Sequence, residues 1–155
     1  MGKKCKVDEK FFNTWSSTMS YILGYMYADG SIIDSPYMRG KYIQINSIDK
    51  DSILRVKHWL KSEHTITTAH SPFSGGKIIY KLRIGSHALY NDLFKRGLYP
   101  NKSLTVTFPR VPKKYLGAFI RGYFDGDGCI FFEKGKGKNG TLITKRIRII
   151  FRSDK

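Results

Sequence analysis

The chain has 155 residues, with 28 Lys+Arg against 12 Asp+Glu, and a net charge of +16 that favours a polyanionic partner. An apolar fraction of 41%, aromatics included, supplies a globular core and excludes a disordered basic tail. Cys5 and Cys129 form neither a disulfide framework nor a metal cluster, no apolar run approaches the ~20 residues of a membrane span, and MGKKCKVDEK is too charged for a secretory signal, so the predicted setting is reducing and intracellular, with no membrane partner.

Residues 1–13 read as a charged entry segment, with Asn13 or Thr14 as N-cap of a first helix. Ser31–Tyr37 and Lys41–Ser47 predict an antiparallel hairpin turned by Ser35, Pro36 and Gly40. Alternation in its second arm sets Ile43 and Ile45 on one face and Tyr42, Gln44 and Asn46 on the other. From Asp49 the period changes: Ile53, Val56, Trp59 and Leu60 mark an amphipathic helix capped by Asp49 or Asp51. A second hairpin follows over His64–Ser71 and Lys77–Gly85, with Lys77, Lys81 and Arg83 on one face of its last arm. A helix near His87–Lys95 ends at Gly97.

Residues 97–113 carry three prolines and read as a linker between a first domain at 14–96 and a second at 114–155. The second begins with a helix from Lys113 or Lys114 to Phe124, passes through Cys129–Lys134 and a turn at 134–140, and enters a strand over Thr141–Arg152. Arg146, Arg148 and Arg152 alternate there with Ile147, Ile149 and Phe151. The pattern is αββαββα, an antiparallel sheet with helices on one face and a polar, basic face opposite, fit to read a major groove. Asp154-Lys155 matches Asp49-Lys50 at an offset of 105, so the second unit reads as incomplete, lacking a hairpin and two helices. A second polypeptide or a missing C-terminal segment is predicted to complete it.

One stretch occurs twice. YILGYMYADGSII at 21–33 and FIRGYFDGDGCIF at 119–131 match at Ile22/Ile120, Gly24/Gly122, Tyr25/Tyr123, Asp29/Asp127, Gly30/Gly128 and Ile32/Ile130, always 98 positions apart. Gly24 and Ala28, like Gly122 and Gly126, sit four apart, so each pair falls on one smooth helical face where two backbones can approach closely. Gly30 and Gly128 predict left-handed helix stops. Packed together, the two helices bring Asp29 and Asp127 to the same end, where their mutual repulsion calls for a proton or a divalent cation.

The two copies resemble the dodecapeptide motif of the LAGLIDADG homing endonucleases, and PNKSLTVTFPRVPKKYLGAFIRGYFDGDG at 100–128 is similar to the inter-domain passage of the two-motif, single-chain members. Tyr27 departs from the motif's usual acid, which Asp125 keeps. The resemblance implies an α+β fold with a saddle-shaped antiparallel sheet in each unit. It implies a site-specific endonuclease, intron- or intein-encoded, that binds a long duplex DNA site and hydrolyses both strands. Asp29 and Asp127, with Gly30 and Gly128, would form the Mg²⁺ (or Mn²⁺) site, and Lys102 would reach the reacting phosphate. The setting would be the cytoplasm of a prokaryote or phage-infected cell, or an organelle. Truncation or splitting would leave this chain alone marginal or inactive.

Two rivals share the fold: a non-cleaving DNA-binding regulator, which usually loses one or both acids, and an intron RNA maturase. Other motifs fail. Asp125-Gly126-Asp127-Gly128 lacks the later oxygen ligands of a calcium loop, GKGKNGT at 135–141 lacks the Lys-Ser/Thr pair of a P-loop, and the four histidines show no metal spacing.

Overall fold

The computed structural model describes residues 5–37, 40–70, 76–101 and 108–151. Helix α1 (Ser17–Ala28) opens at Ser16, whose hydroxyl accepts from the Met19 amide at 3.0 Å. The cap is therefore two or three residues beyond Asn13 and Thr14, because Asn13 is engaged in a turn, its amide donating to the Lys10 carbonyl at 2.9 Å. From Met19 to Ala28 every residue of α1 but the half-buried Tyr21 is buried, as befits a helix enclosed on nearly all sides.

Strands β1 (Gly30–Ser35) and β2 (Gly40–Ser47) form the first hairpin, and α2 (Lys50–Trp59) follows, capped by the Asp49 carboxylate on the Asp51 amide. Strands β3 (Ile66–His70) and β4 (Ile78–Gly85) and helix α3 (His87–Lys95) complete the unit. The sheet runs β1-β2-β4-β3, antiparallel throughout. Ile32, Ile43, Ile45, Leu82 and Ile84 share its covered face and are buried with Ile53 and Val56 of α2 and Leu89 and Leu93 of α3. The αββαββα order is the one predicted, and Ile43 and Ile45 fall on the covered face their alternation sets. Just past the end of α3 and its cap Arg96, Gly97 takes the positive φ of 96° expected of a glycine that stops a helix.

After Pro112 a 3₁₀ turn (Lys113–Tyr115) leads into α4 (Leu116–Asp127), three residues longer at its C-terminus than predicted. Strands β5 (Gly128–Lys136) and β6 (Leu142–Phe151) form a separate two-stranded sheet. The turn is shorter than the 134–140 predicted, with the Gly137 amide closing on the Thr141 carbonyl at 2.8 Å. Ile32 faces Ile43 and Ile130 faces Ile149, so β6 stands 106 positions after β2, and an irregularity between Glu133 and Lys134 interrupts the pairing. The Asp154-Lys155 match at 105 lies outside the described residues. No described helix is long and apolar enough to cross a membrane.

Candidate active site

Two glycines set the geometry. A Cβ built on Gly24 would overlap the Phe119 carbonyl oxygen and come within 2.9 Å of the Tyr123 amide; one on Gly122 would overlap the Tyr21 oxygen and come within 3.0 Å of the Tyr25 amide. Each helix thus rests backbone to backbone on the other at the same repeat position. Ser20 Oγ strengthens the seam by donating to the Tyr115 carbonyl at 2.9 Å. Nearer the C-terminal ends, Gly126 lies against Ala28, and a Cβ there would stand 3.5 Å from the Asp29 carboxyl carbon. Asp29 and the residue before Asp127 are therefore neighbours at one end of the helix pair.

Gly30 and Gly128 depart from their predicted conformation. Neither has a positive φ, and Gly128 is extended at φ −76°, ψ 149°. They serve close approach instead: a Cβ on Gly30 would sit 2.7 Å from Met26 Cα, and one on Gly128 would overlap the Phe124 carbonyl. The second strand can then leave its helix with no residue between, and the first with Asp29 alone between.

Asp29 opens into a cleft of about 420 Å³ lined also by Asn46, Ser47, Asp49, Ser52 and Asp125. Its rim is a connected network. Ser52 Oγ donates to Asp49, Arg55 donates to Ser52 Oγ at 2.8 Å, and the Asp49 amide donates to Ser47 Oγ at 3.1 Å. The Ser52 bond, followed by backbone amides and Arg55, holds the Asp49 carboxyl below its ordinary range against a smaller opposing effect of burial. Tyr25, one turn before Asp29, is buried, which raises its phenol pKa; hydrogen bonds with Ser47 and Ser52 act against that shift. On the opposite wall, Tyr21 donates to Asp125 Oδ2 at 2.6 Å, and Arg121 stands 4.0 Å from the same oxygen. Burial and the Asp125 bond push Tyr21 up to about 12.

Tyr27, which replaces the motif acid in the first copy, is turned into the fold. Its hydroxyl donates to the Arg96 carbonyl at 2.8 Å, its ring meets Phe119 edge-on at 5.6 Å, and burial pushes it up to about 12. The two motif copies are thus chemically unequal two residues before their shared Asp. The sequence marks Asp125 as acidic, but its place in the Asp29 cleft depends on the helix crossing and is not visible from spacing. The donors lining the cleft are oxygens and one amide, the chemistry a hard, largely hydrated divalent cation accepts. Among the described residues no group of three or more His, Cys, Asp or Glu is spaced to hold a metal.

The face of the first sheet opposite its helices carries the predicted reading residues in register, Gln44 among them being buried, at 9% exposure. Gln44 faces Arg83 and accepts from its Nε at 2.8 Å, Asn46 faces Lys81, and Arg83 lies over the Tyr42 ring at 6.0 Å. Lys77 is exposed just before β4. In the second hairpin Arg148 faces Phe131 and pairs with Glu133 at 2.9 Å, beside the opposed Glu133–Arg146 pair. The other face of that hairpin holds Ile130, Phe132, Ile147 and Ile149, between 52% and 64% exposed, whereas the matching Ile32 and Ile43 are 2% and 1% exposed. Lys102 and Arg152 lie outside the described residues.

No family model matches the chain. In sequence it is 31% identical over 141 residues to the reverse gyrase of Methanocaldococcus jannaschii, spanning 89% of this chain but 7% of that protein. In structure it is similar to the homing endonuclease I-WcaI bound to its DNA recognition sequence, at a TM-score of 0.51 and 14% identity over 84% of this chain and 61% of that one. It is also similar to the meganuclease I-SmaMI bound to uncleaveable DNA, at a TM-score of 0.50 and 14% identity over 80% of this chain and 63% of that one. The chain thus spans less than two thirds of either solved relative. Paired motif helices joined through Gly24 and Gly122, each running directly into an antiparallel hairpin, and these likenesses give the chain the fold of the LAGLIDADG homing endonucleases.

Proposed function

We propose that the chain is a DNA-binding part of a site-specific homing endonuclease that hydrolyses both strands of a long duplex site with a divalent metal. The observation that carries this reading is the pair of acid-ended helices crossing through glycines, flanked by a basic sheet face, in a chain of net charge +16. Homing endonucleases bound to DNA are among the solved structures of similar fold, which supports the DNA partner. The sheet residues Tyr42, Gln44, Asn46, Lys77, Lys81 and Arg83, continued by Arg146, Arg148 and Arg152, would grip the major groove on either side of the cut.

Asp29 and Asp127, at the ends preceding Gly30 and Gly128, would hold Mg²⁺ or Mn²⁺, each serving one strand, and Lys102 would approach the reacting phosphate. A bound Mg²⁺ supplies Lewis-acid polarisation of a phosphodiester and a more acidic water. Tyr25, Ser47 and Ser52 would fix the wall of the cleft beside Asp29. The uncovered Ile130, Phe132, Ile147 and Ile149 support a further segment or second polypeptide that completes the second unit.

Asp127→Asn tests the reading. Double-strand cleavage should disappear while duplex binding is largely kept; a variant that still cuts both strands would sink the metal assignment. Binding to an intron transcript in preference to duplex DNA would favour the maturase alternative, and binding without cleavage by the completed wild-type protein would favour the regulator.

A further inference from the structure

On the helical side of the first sheet, away from the reading face, a cavity of about 470 Å³ opens between α1, the end of α3 and residues 108–110. Its lining has three cations, Lys95, Arg96 and Arg110, and no acid. None of the three makes an ion pair within 4.0 Å among the described residues. Lysine and arginine at a helix C-terminus commonly satisfy its last carbonyls. That work is already done here. The amides of Arg96, Gly97 and Leu98 close on the carbonyls of Asp92, Leu93 and Phe94, and the Tyr27 hydroxyl takes the Arg96 carbonyl.

Arg96 is also held in place before any ligand arrives. Its guanidinium lies 4.5 Å over the Trp15 ring and donates to the Phe12 carbonyl, and the residue lines the cavity. Burial lowers its pKa, with Asp92 opposing, so the cation has lost part of its water. A partly desolvated, fixed guanidinium beside two further cations without an ion pair among the described residues is a receptor for a phosphate. Trp15 already has two partners, the Arg96 guanidinium over its ring and Tyr115 stacked at 6.1 Å. Phe108 differs: it is 70% exposed and touches Phe119 only edge-on, at 5.4 Å. That ring is free to take a flat apolar group.

We propose that this cavity binds a nucleoside phosphate, its phosphate between Lys95, Arg96 and Arg110 and its base against Phe108, on a surface distinct from the duplex-reading sheet. The volume suits one nucleotide. Free nucleotide and an unpaired nucleic-acid strand offer the same chemistry.

Isothermal titration with adenosine 5′-monophosphate, inorganic phosphate and a ten-nucleotide oligo-dT tests it, on wild type and on the surface variants Lys95→Gln, Arg110→Gln and Phe108→Ala, each first shown to melt as wild type does. Saturable one-to-one AMP binding is expected, weakened about tenfold by either cation variant, as loss of one charge-assisted bond predicts. Phe108→Ala should weaken AMP and leave phosphate unchanged. Oligo-dT binding more tightly than AMP identifies a strand as the source; equal affinity identifies the free nucleotide. Absence of saturable AMP binding, indifference to Lys95→Gln and Arg110→Gln, or displacement of AMP by saturating random-sequence duplex would overturn the proposal. Since the assay uses neither cleavage nor metal, its failure is separate from failure of the endonuclease reading.

Discussion

Gly24 and Gly122 occupy each other's helix in reciprocal fashion: the Phe119 carbonyl fills the Cβ position of the first, and the Tyr21 carbonyl, 98 residues earlier, fills that of the second. Phe119 and Tyr21 are themselves repeat mates, so the contact has an internal two-fold relation within one chain. Because the obstacles are backbone atoms, no side-chain rotation relieves them.

Gly122→Ala should therefore destabilise the protein by about 1–3 kcal/mol or more, the usual cost of forcing atoms into a packed seam, read as a lower urea midpoint at unchanged slope. Gly117→Ala on the same helix has nothing within 4 Å of its Cβ position and should leave the midpoint at or above wild type.

Gly126→Ala drives a methyl into Ala28. The double variant Ala28→Gly/Gly126→Ala returns one methyl to the level and should recover most of the lost stability in a double-mutant cycle. Additive losses would mean that the two positions do not share the space.

Tyr21 and Tyr27 carry a pH signature. Both phenols sit at about 12 in the folded protein against 10.0 ordinarily. A raised folded-state value means the stabilisation is fully present below pH 10.0 and is lost as pH rises toward 12. Tyr21→Phe and Tyr27→Phe should each flatten the alkaline loss of stability measured by denaturant titration across that window. Tyr21→Phe should also cost about 1 kcal/mol at neutral pH through the lost Asp125 bond.

Asp49 behaves oppositely. Its folded pKa lies below the ordinary 3.8, so its contribution is present above that value and fades as pH falls through the folded one. Asp49→Ala removes the α2 cap and should cost about 1 kcal/mol at pH 7, with a smaller difference from wild type in acid.

Lys81→Gln and Arg83→Gln should weaken duplex binding, and each phosphate contact removed should reduce the log–log salt slope by about 0.9. A variant with lower affinity but an unchanged slope would show that the residue contacts a base edge or only holds Gln44.

The sheet and its covering helices were legible because alternation and amphipathic spacing report directly on burial: Ile43, Ile45, Leu82 and Ile84 fall where their period sets them. The packing role of Gly24 and Gly122 was legible because the repeat doubles the signal. Gly30 and Gly128 misled, since a glycine after a helix has two physical uses, a left-handed turn and a close approach, and sequence does not separate them. The Asp29 cleft was hidden because Asp125, Asn46 and Asp49 arrive from three elements whose juxtaposition depends on the helix crossing. Arg96 over Trp15 had no local signal at all, the two being 81 positions apart.

The Ala28–Gly126 contact makes the two halves non-interchangeable in one direction. A chimera built from two first-copy helices would set alanine against alanine where space for one methyl exists, and it should fail to close. Two second-copy helices would meet there as glycine against glycine, looser but free of collision at that position. At this contact, exchange between the halves, natural or engineered, is therefore tolerated toward the FDGDG copy and opposed toward the YADG copy.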